Sequence, residues 1–154
     1  MVDKNCLLQI FGSLMKRPLY LSETDKFNLT PDDFYYRFDK YLFIAIDTLF
    51  RNGAQRIQPI DVENYLQSDG VAAAIFKQQN GIEYLQDAIT LADDGNFPYY
   101  YNKLKKINLL NSLNSKGIKT DQFFVEDGIT SEALQINAKF EQLSIEDIIA
   151  SVKK

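Results

Sequence analysis

Apolar residues recur at helical spacing along almost the whole chain. Leu7, Ile10, Phe11 and Leu14 follow an i, i+3, i+4, i+7 stripe, with Asp3 placed to cap the first turn and Pro18 to bar continuation. That stripe reads as core. Thr30-Pro31-Asp32-Asp33 offers a capping hydroxyl, a proline at the first helical position and two carboxylates where the helix dipole favours negative charge. A helix is predicted to start there and to run on through Phe38, Leu42, Ala45, Ile46 and Leu49 until Asn52-Gly53. Pro59-Ile60-Asp61 opens the next piece, with Asp61 as its cap and Ile60 set to staple against Tyr65. Gly70 and Asn80-Gly81 then separate three helical pieces, 62–68, 71–79 and 82–92, the last with Ile82, Leu85 and Ile89 on one face. Ile57-Gln58 and Phe123-Phe124-Val125 are too short to found a sheet, so the fold class is all-α.

The pattern is interrupted by turn residues at Asp93-Asp94-Gly95-Asn96-Phe97-Pro98. This is the expected boundary between a compact helical bundle, residues 1–95, and a helical hairpin, residues 96–143. One arm, 99–115, carries Tyr100, Leu104, Ile107, Leu110 and Leu113 along a side, and the other, 131–143, carries Ile136 and Phe140. From Pro98 to Lys119 there are five lysines and no acid, and from Thr120 to Asp147 seven acids against Lys139 alone. Opposite arms of this kind attract, but exposed pairs contribute at most about 1 kcal/mol each, so apolar stripes must dominate their pairing. Ser144-Ile145-Glu146-Asp147 reads as a capping box opening a last helix within 144–154, with Ile145, Ile148, Ile149 and Val152 on one face. A helix so apolar at the end of the chain needs a partner or a continuation.

Composition narrows the chemistry. The chain has 154 residues, 45% of them hydrophobic and 25% charged, enough to bury a core without disulfide or metal. The single Cys6 suits a reducing compartment. No histidine is present, which removes Ser-His-Asp and Cys-His activation, imidazole zinc sites and imidazole proton shuttles. The seven glycines never fall into a P-loop or a dinucleotide fingerprint. Asp32-Asp33, Asp93-Asp94 and Glu146-Asp147 sit at helix starts or in turn sequence, where carboxylates cap, and the spaced acids of a calcium loop are absent. No catalytic, cofactor or metal site is therefore expected. No apolar run approaches the roughly 18 residues of a membrane span, and the first twenty residues lack a signal-peptide order, so a cytoplasmic protein is expected. The net charge of −4 opposes non-specific attraction to phosphate, leaving DNA contact weak or indirect. Lys103, Lys105, Lys106 and Lys116 near Tyr99, Tyr100 and Tyr101 allow a small nucleic-acid patch. The same tyrosines equally suit a protein interface.

In order and spacing, these segments resemble the N-terminal domain of DnaB-type replicative DNA helicases. Phe11-Gly12-Ser13-Leu14 is similar to the Leu-Gly-x-Leu core of the family's first helix. Asp33-Phe34-Tyr35, then Leu42-Phe43, Ala45-Ile46, Leu49 and Gly53, resemble its D-F-Y stretch and the helix after it. Pro59-Ile60-Asp61, Leu66 and Gly70 are similar to the next segment, as are Gly81-Ile82 with Tyr84-Leu85. Asn96, Tyr99 or Tyr100, and Leu104-Lys105 resemble the entry to its hairpin. One departure is Asp39, at a position often held by histidine. The family's ATPase domain with its P-loop is absent from this sequence. The run from Leu143 to Ile149 resembles the start of the linker in phage and mobile-element versions, which favours a fragment over a stand-alone relative.

The resemblance implies a non-catalytic collar that assembles as dimers or higher oligomers and offers a surface to primase or a helicase loader. Tyr100, Leu104, Ile107, Leu110, Ile136 and Phe140 are the expected oligomer interface, and Tyr101, Lys105 and Lys106 the expected partner contact. Ile145, Ile148, Ile149 and Val152 are expected to dock the linker helix on the helicase ATPase domain. The alternatives are a stand-alone adaptor or inhibitor mimicking the collar, and a small nucleic-acid-binding helical protein.

Overall fold

The computed structural model describes residues 1–153 and contains eight α-helices and three short 3₁₀ turns, with no strand among the described residues. The all-α expectation holds. Helix α1 (Lys4–Lys16) lies at the centre, every residue from Gln9 to Met15 buried. Asp3 caps it as expected, accepting from the Cys6 backbone N–H at 2.8 Å.

Helix α5 (Gly81–Leu91) packs directly on α1, and Gly12 sets the distance. A Cβ on Gly12 would overlap the Ala88 carbonyl and the Ala92 side chain. The exposed carbonyls at the end of α5 are met by side chains of α1: Gln9 donates to Leu91 O at 3.0 Å and Lys16 to Ala92 O at 2.8 Å. Gln9 also accepts from the Asp93 N–H at 2.8 Å, so this buried amide is satisfied at both ends.

The Thr30–Asp33 signal ends in a 3₁₀ turn, Pro31–Asp33, and the expected continuous helix does not form. Phe34 is extended at φ −110° and ψ 134°, and its ring stacks 5.2 Å from Phe11 and 5.1 Å from Phe43. Burying that ring at the centre of the core outweighs another helical turn, and α2 starts afresh at Arg37 and runs to Arg51. Gly53, in the left-handed region at φ 104°, follows its end as expected. In α3 (Pro59–Leu66) the N-cap is Gln58, and Asp61 lies inside the first turn, reaching back to the Gln58 N–H at 2.8 Å. Ile60 is 51% exposed and staples nothing, whereas Tyr65 packs on the core. Asp69 caps α4 (Gly70–Gln78) by accepting from Val71 N and Ala72 N.

Two apolar clusters result. The first contains α1 to α5 and the start of α6 (Phe97–Ser115), including Phe97 and Leu104. The second contains Ile107, Leu110 and Leu113 of α6 with Phe123, Phe124, Phe140 and Ile148. The seam between them falls inside α6, between Leu104 and Ile107. Helix α7 (Ser131–Phe140) does not run alongside α6 and meets it through Phe140, while α8 (Ile145–Val152) folds back to bury Ile148.

Candidate interaction surface

Helix α6 carries most of the residues singled out from sequence, and it is covered on several sides by its own chain. Leu104 is buried in the first cluster, and Ile107, Leu110 and Phe140 in the second. Tyr100 and Ile136 are half-buried.

The lysines of α6 face inward. Lys103 bridges Asp3 at 3.1 Å and Glu141 at 2.7 Å, joining the start of α1 to the end of α7. Burial opposes the Lys103 charge, but hydrogen bonds and attraction from Glu141 and Asp3 hold the ammonium well above its ordinary range. Burial likewise opposes the Glu141 charge, and its hydrogen bonds with Lys103 and Tyr99 outweigh it, keeping the carboxyl below its usual range. Tyr99 donates to Glu141 at 2.7 Å, and that bond, with burial, pushes its hydroxyl up to about 12.

Lys105 donates to both oxygens of the buried Asp33 at 2.9 Å and to Asn28 O at 2.6 Å. Asn108 adds a bond to Asp33 at 3.1 Å, and the Thr30 N–H adds another at 2.9 Å. A carboxylate so deep is stable only with such a set, because removing the cation strands a desolvated charge. Tyr101 lies within the same arrangement: its hydroxyl accepts from Asn28 N at 2.9 Å and its ring sits 5.5 Å from the Lys105 ammonium. Lys106 is 8% exposed and donates to Phe140 O at 2.7 Å and Leu143 O at 3.1 Å, with its ammonium 4.4 Å from the centre of the Phe140 ring. It closes the C-terminal end of α7, where free carbonyls attract a cation. Burial lowers its pKa, partly offset by Glu141.

Of the last helix, Ile148 is fully buried, Ile149 and Val152 are half-buried and Ile145 is 36% exposed. The capping box expected at Ser144 is present, with reciprocal bonds of 3.0 Å between Ser144 and Asp147.

The apolar surface this unit does present was not read from sequence. Ile129 is 89% exposed and Leu134 57% exposed, at the start of α7. Thr130 caps that helix through the Ala133 N–H at 3.1 Å, which places Ile129 just before the cap and Leu134 at its fourth position. These are the two positions of a hydrophobic staple, a signal available in the sequence. Here both stand open to solvent.

No helix among the described residues is long and apolar enough to cross a membrane. Residues 9–106 match the family described as the DnaB-like helicase N terminal domain, from within α1 to just past the first cluster. The chain is 33% identical over 150 residues to the SPbeta prophage-derived uncharacterized protein YorI of Bacillus subtilis (strain 168). That similarity takes in 97% of this chain and 30% of the relative, so the chain spans about a third of that protein's length. No solved structure matches it significantly. With the helical core through Leu104 and the matched span coinciding, the chain belongs to the DnaB-like helicase N-terminal domain family.

Proposed function

We propose that this chain is the collar of a phage-type replicative DNA helicase: a non-catalytic domain that holds copies together and presents a surface to primase or a helicase loader. The family match over the first helical core carries this reading, and the greater length of the prophage relative leaves room for a motor domain. The inward-facing lysines favour it over a small nucleic-acid binder. Lys103, Lys105 and Lys106 are engaged by Asp3, Glu141, Asp33 and main-chain carbonyls, so they form no phosphate-facing patch. Tyr101, Lys105 and Lys106 then act on a partner by shaping the surface, not as free charges.

Self-association is assigned to the second unit, through the exposed Ile129 and Leu134 beside half-buried Ile136. Exposed aliphatic side chains of this size are stabilised by burial against a second copy. In a longer parent protein, Ile145 and Ile149 remain for the ATPase domain of a neighbouring subunit, while Ile148 and Val152 pack on the second cluster of their own chain. Sedimentation tests the assembly: the chain should form dimers or larger species at about 100 µM, and Leu134→Asp should give a folded monomer. Leu104 and Ile107 are unsuitable targets because their loss would unfold the core. A wild-type chain that stays monomeric at several hundred µM would overturn self-association. Failure of the parent protein to retain its cognate primase or loader would overturn the recruitment role separately.

A further inference from the structure

A groove of about 810 Å³ opens among α1, α2, α4 and α5. Leu7 and Leu8 of α1, Ile75 of α4 and Tyr84 of α5 wall it, with Tyr35 and Phe38 from the chain entering and beginning α2. At its edge Tyr35 is 55% and Tyr36 49% exposed. Asp39 is among the residues lining the groove, with Lys4, Arg37 and Asp87 around the apolar walls; it is only 5% exposed, and its charge acts on the Tyr84 hydroxyl. No cation or hydrogen-bond donor among the described residues pairs with its carboxyl. The other buried acid among the described residues contrasts with it: Asp33 has Lys105, Asn108 and the Thr30 N–H.

We propose that this groove is a docking site for a protein segment in which one lysine or arginine is flanked by apolar residues, the basic head meeting Asp39. A buried carboxylate without a partner is costly, and a cation carried on an aliphatic stem removes that cost while its stem covers apolar wall. The aromatic rings lining the groove suit a cation as it descends toward the carboxyl. Gln78 and Gln79 on the rim supply amides for a peptide backbone. The volume also exceeds what a single amine would fill, which points to a chain with several side chains. The inference does not depend on the collar reading, because it needs neither a ring nor a motor.

The titratable groups facing the groove are Lys4 from α1, Tyr35 and Tyr36 ahead of α2, Arg37 and Asp39 from α2, and Tyr84 and Asp87 from α5; α4 contributes neutral Ile75, Gln78 and Gln79. Burial pushes the Asp39 carboxyl up to about 7. A basic head binds the ionised form, so affinity should rise between pH 6 and pH 8. A partner carbonyl accepting from the protonated carboxyl would show the opposite trend.

The test selects a random peptide library on the full chain, on Asp39→Asn and on Tyr35→Ala, then measures the enriched peptide by calorimetry. The expected sequence has a basic residue between apolar ones. Replacing that residue by norleucine should weaken binding at least tenfold, and Asp39→Asn should erase this difference. Tyr35→Ala, an exposed change, should weaken binding with the fold intact. No enrichment, enrichment without a basic residue, or the same basic preference in Asp39→Asn would each overturn the proposal. Tighter binding at pH 6 than at pH 8 would overturn it as well. So would cadaverine binding as tightly as the peptide, which would make the groove a small-amine site. Loss of self-association on adding the peptide would assign the groove to a second copy instead.

Discussion

Asp39 and Lys106 show how burial acts on opposite charges when the surroundings differ. Lys106 loses solvent but finds two carbonyls, whereas Asp39 loses solvent and finds no donor among the described residues. The ordinary carboxyl value of 3.8 is pushed up to about 7 by that burial. Between those values the folded state holds a proton that the unfolded chain has released, so the Asp39 contribution to stability is full below about pH 4 and is lost as pH rises to about 7. Asp39→Asn keeps the shape without the charge. At pH 8 it should be more stable than the wild type by on the order of 4 kcal/mol, and near pH 4 the two should converge. Urea unfolding at both values checks this, and an equal difference at both would refute the assigned cause. Asp39 was legible only as a departure from a family pattern; its isolation depends on how four helices meet, which no local spacing encodes. The attraction of Lys103 to Glu141 follows the basic-arm and acidic-arm pattern of the sequence. Asp3 and Asp33 lie far away in sequence, and their pairing with Lys103 and Lys105 needs the tertiary fold.

At the scale of helices, local chemistry was legible wherever it did not compete with burial. Asp3, Gly53 and the Ser144 capping box act as their sequence context implies. The Thr30 start failed because Phe34 is drawn between Phe11 and Phe43, and Ile60 failed as a staple because its side chain points to solvent. Gly12 was legible as part of a family core, but its reason is geometric: it lets α1 touch the backbone of α5. Gly12→Ala should lower stability by about 1–3 kcal/mol, since the clash exceeds the ~1 kcal/mol gained by replacing a helical glycine. Gly70→Ala, where an added Cβ meets nothing within 4 Å, should be neutral or stabilising. Denaturant midpoints of the two variants distinguish a close approach from simple helix propensity.

For the whole molecule, one long helix serves two cores. The first cluster ends at Leu104 and the second begins at Ile107, with charged contacts lying across the junction: Lys103 to Asp3 and Glu141, and the Met1 amino group to Asn111 at 2.9 Å. Because Lys103 and the Met1–Asn111 contact are partly solvated, they hold the units together more weakly than burial holds each core. Ile148 supplies the test, since it is fully buried in the second cluster. Ile148→Ala removes aliphatic contacts worth about 2–5 kcal/mol when the cavity cannot collapse. If the second cluster opens on its own, amide exchange should accelerate through α7 and α8, while α1 and α5 keep their protection. The C-terminal half of α6 should also exchange faster, beginning beyond Leu104. Uniform acceleration across α1, α5 and α8 would show one cooperative unit and refute the division at α6. The expected pattern would give the chain a deformable C-terminal end, while the core that matches the family stays folded.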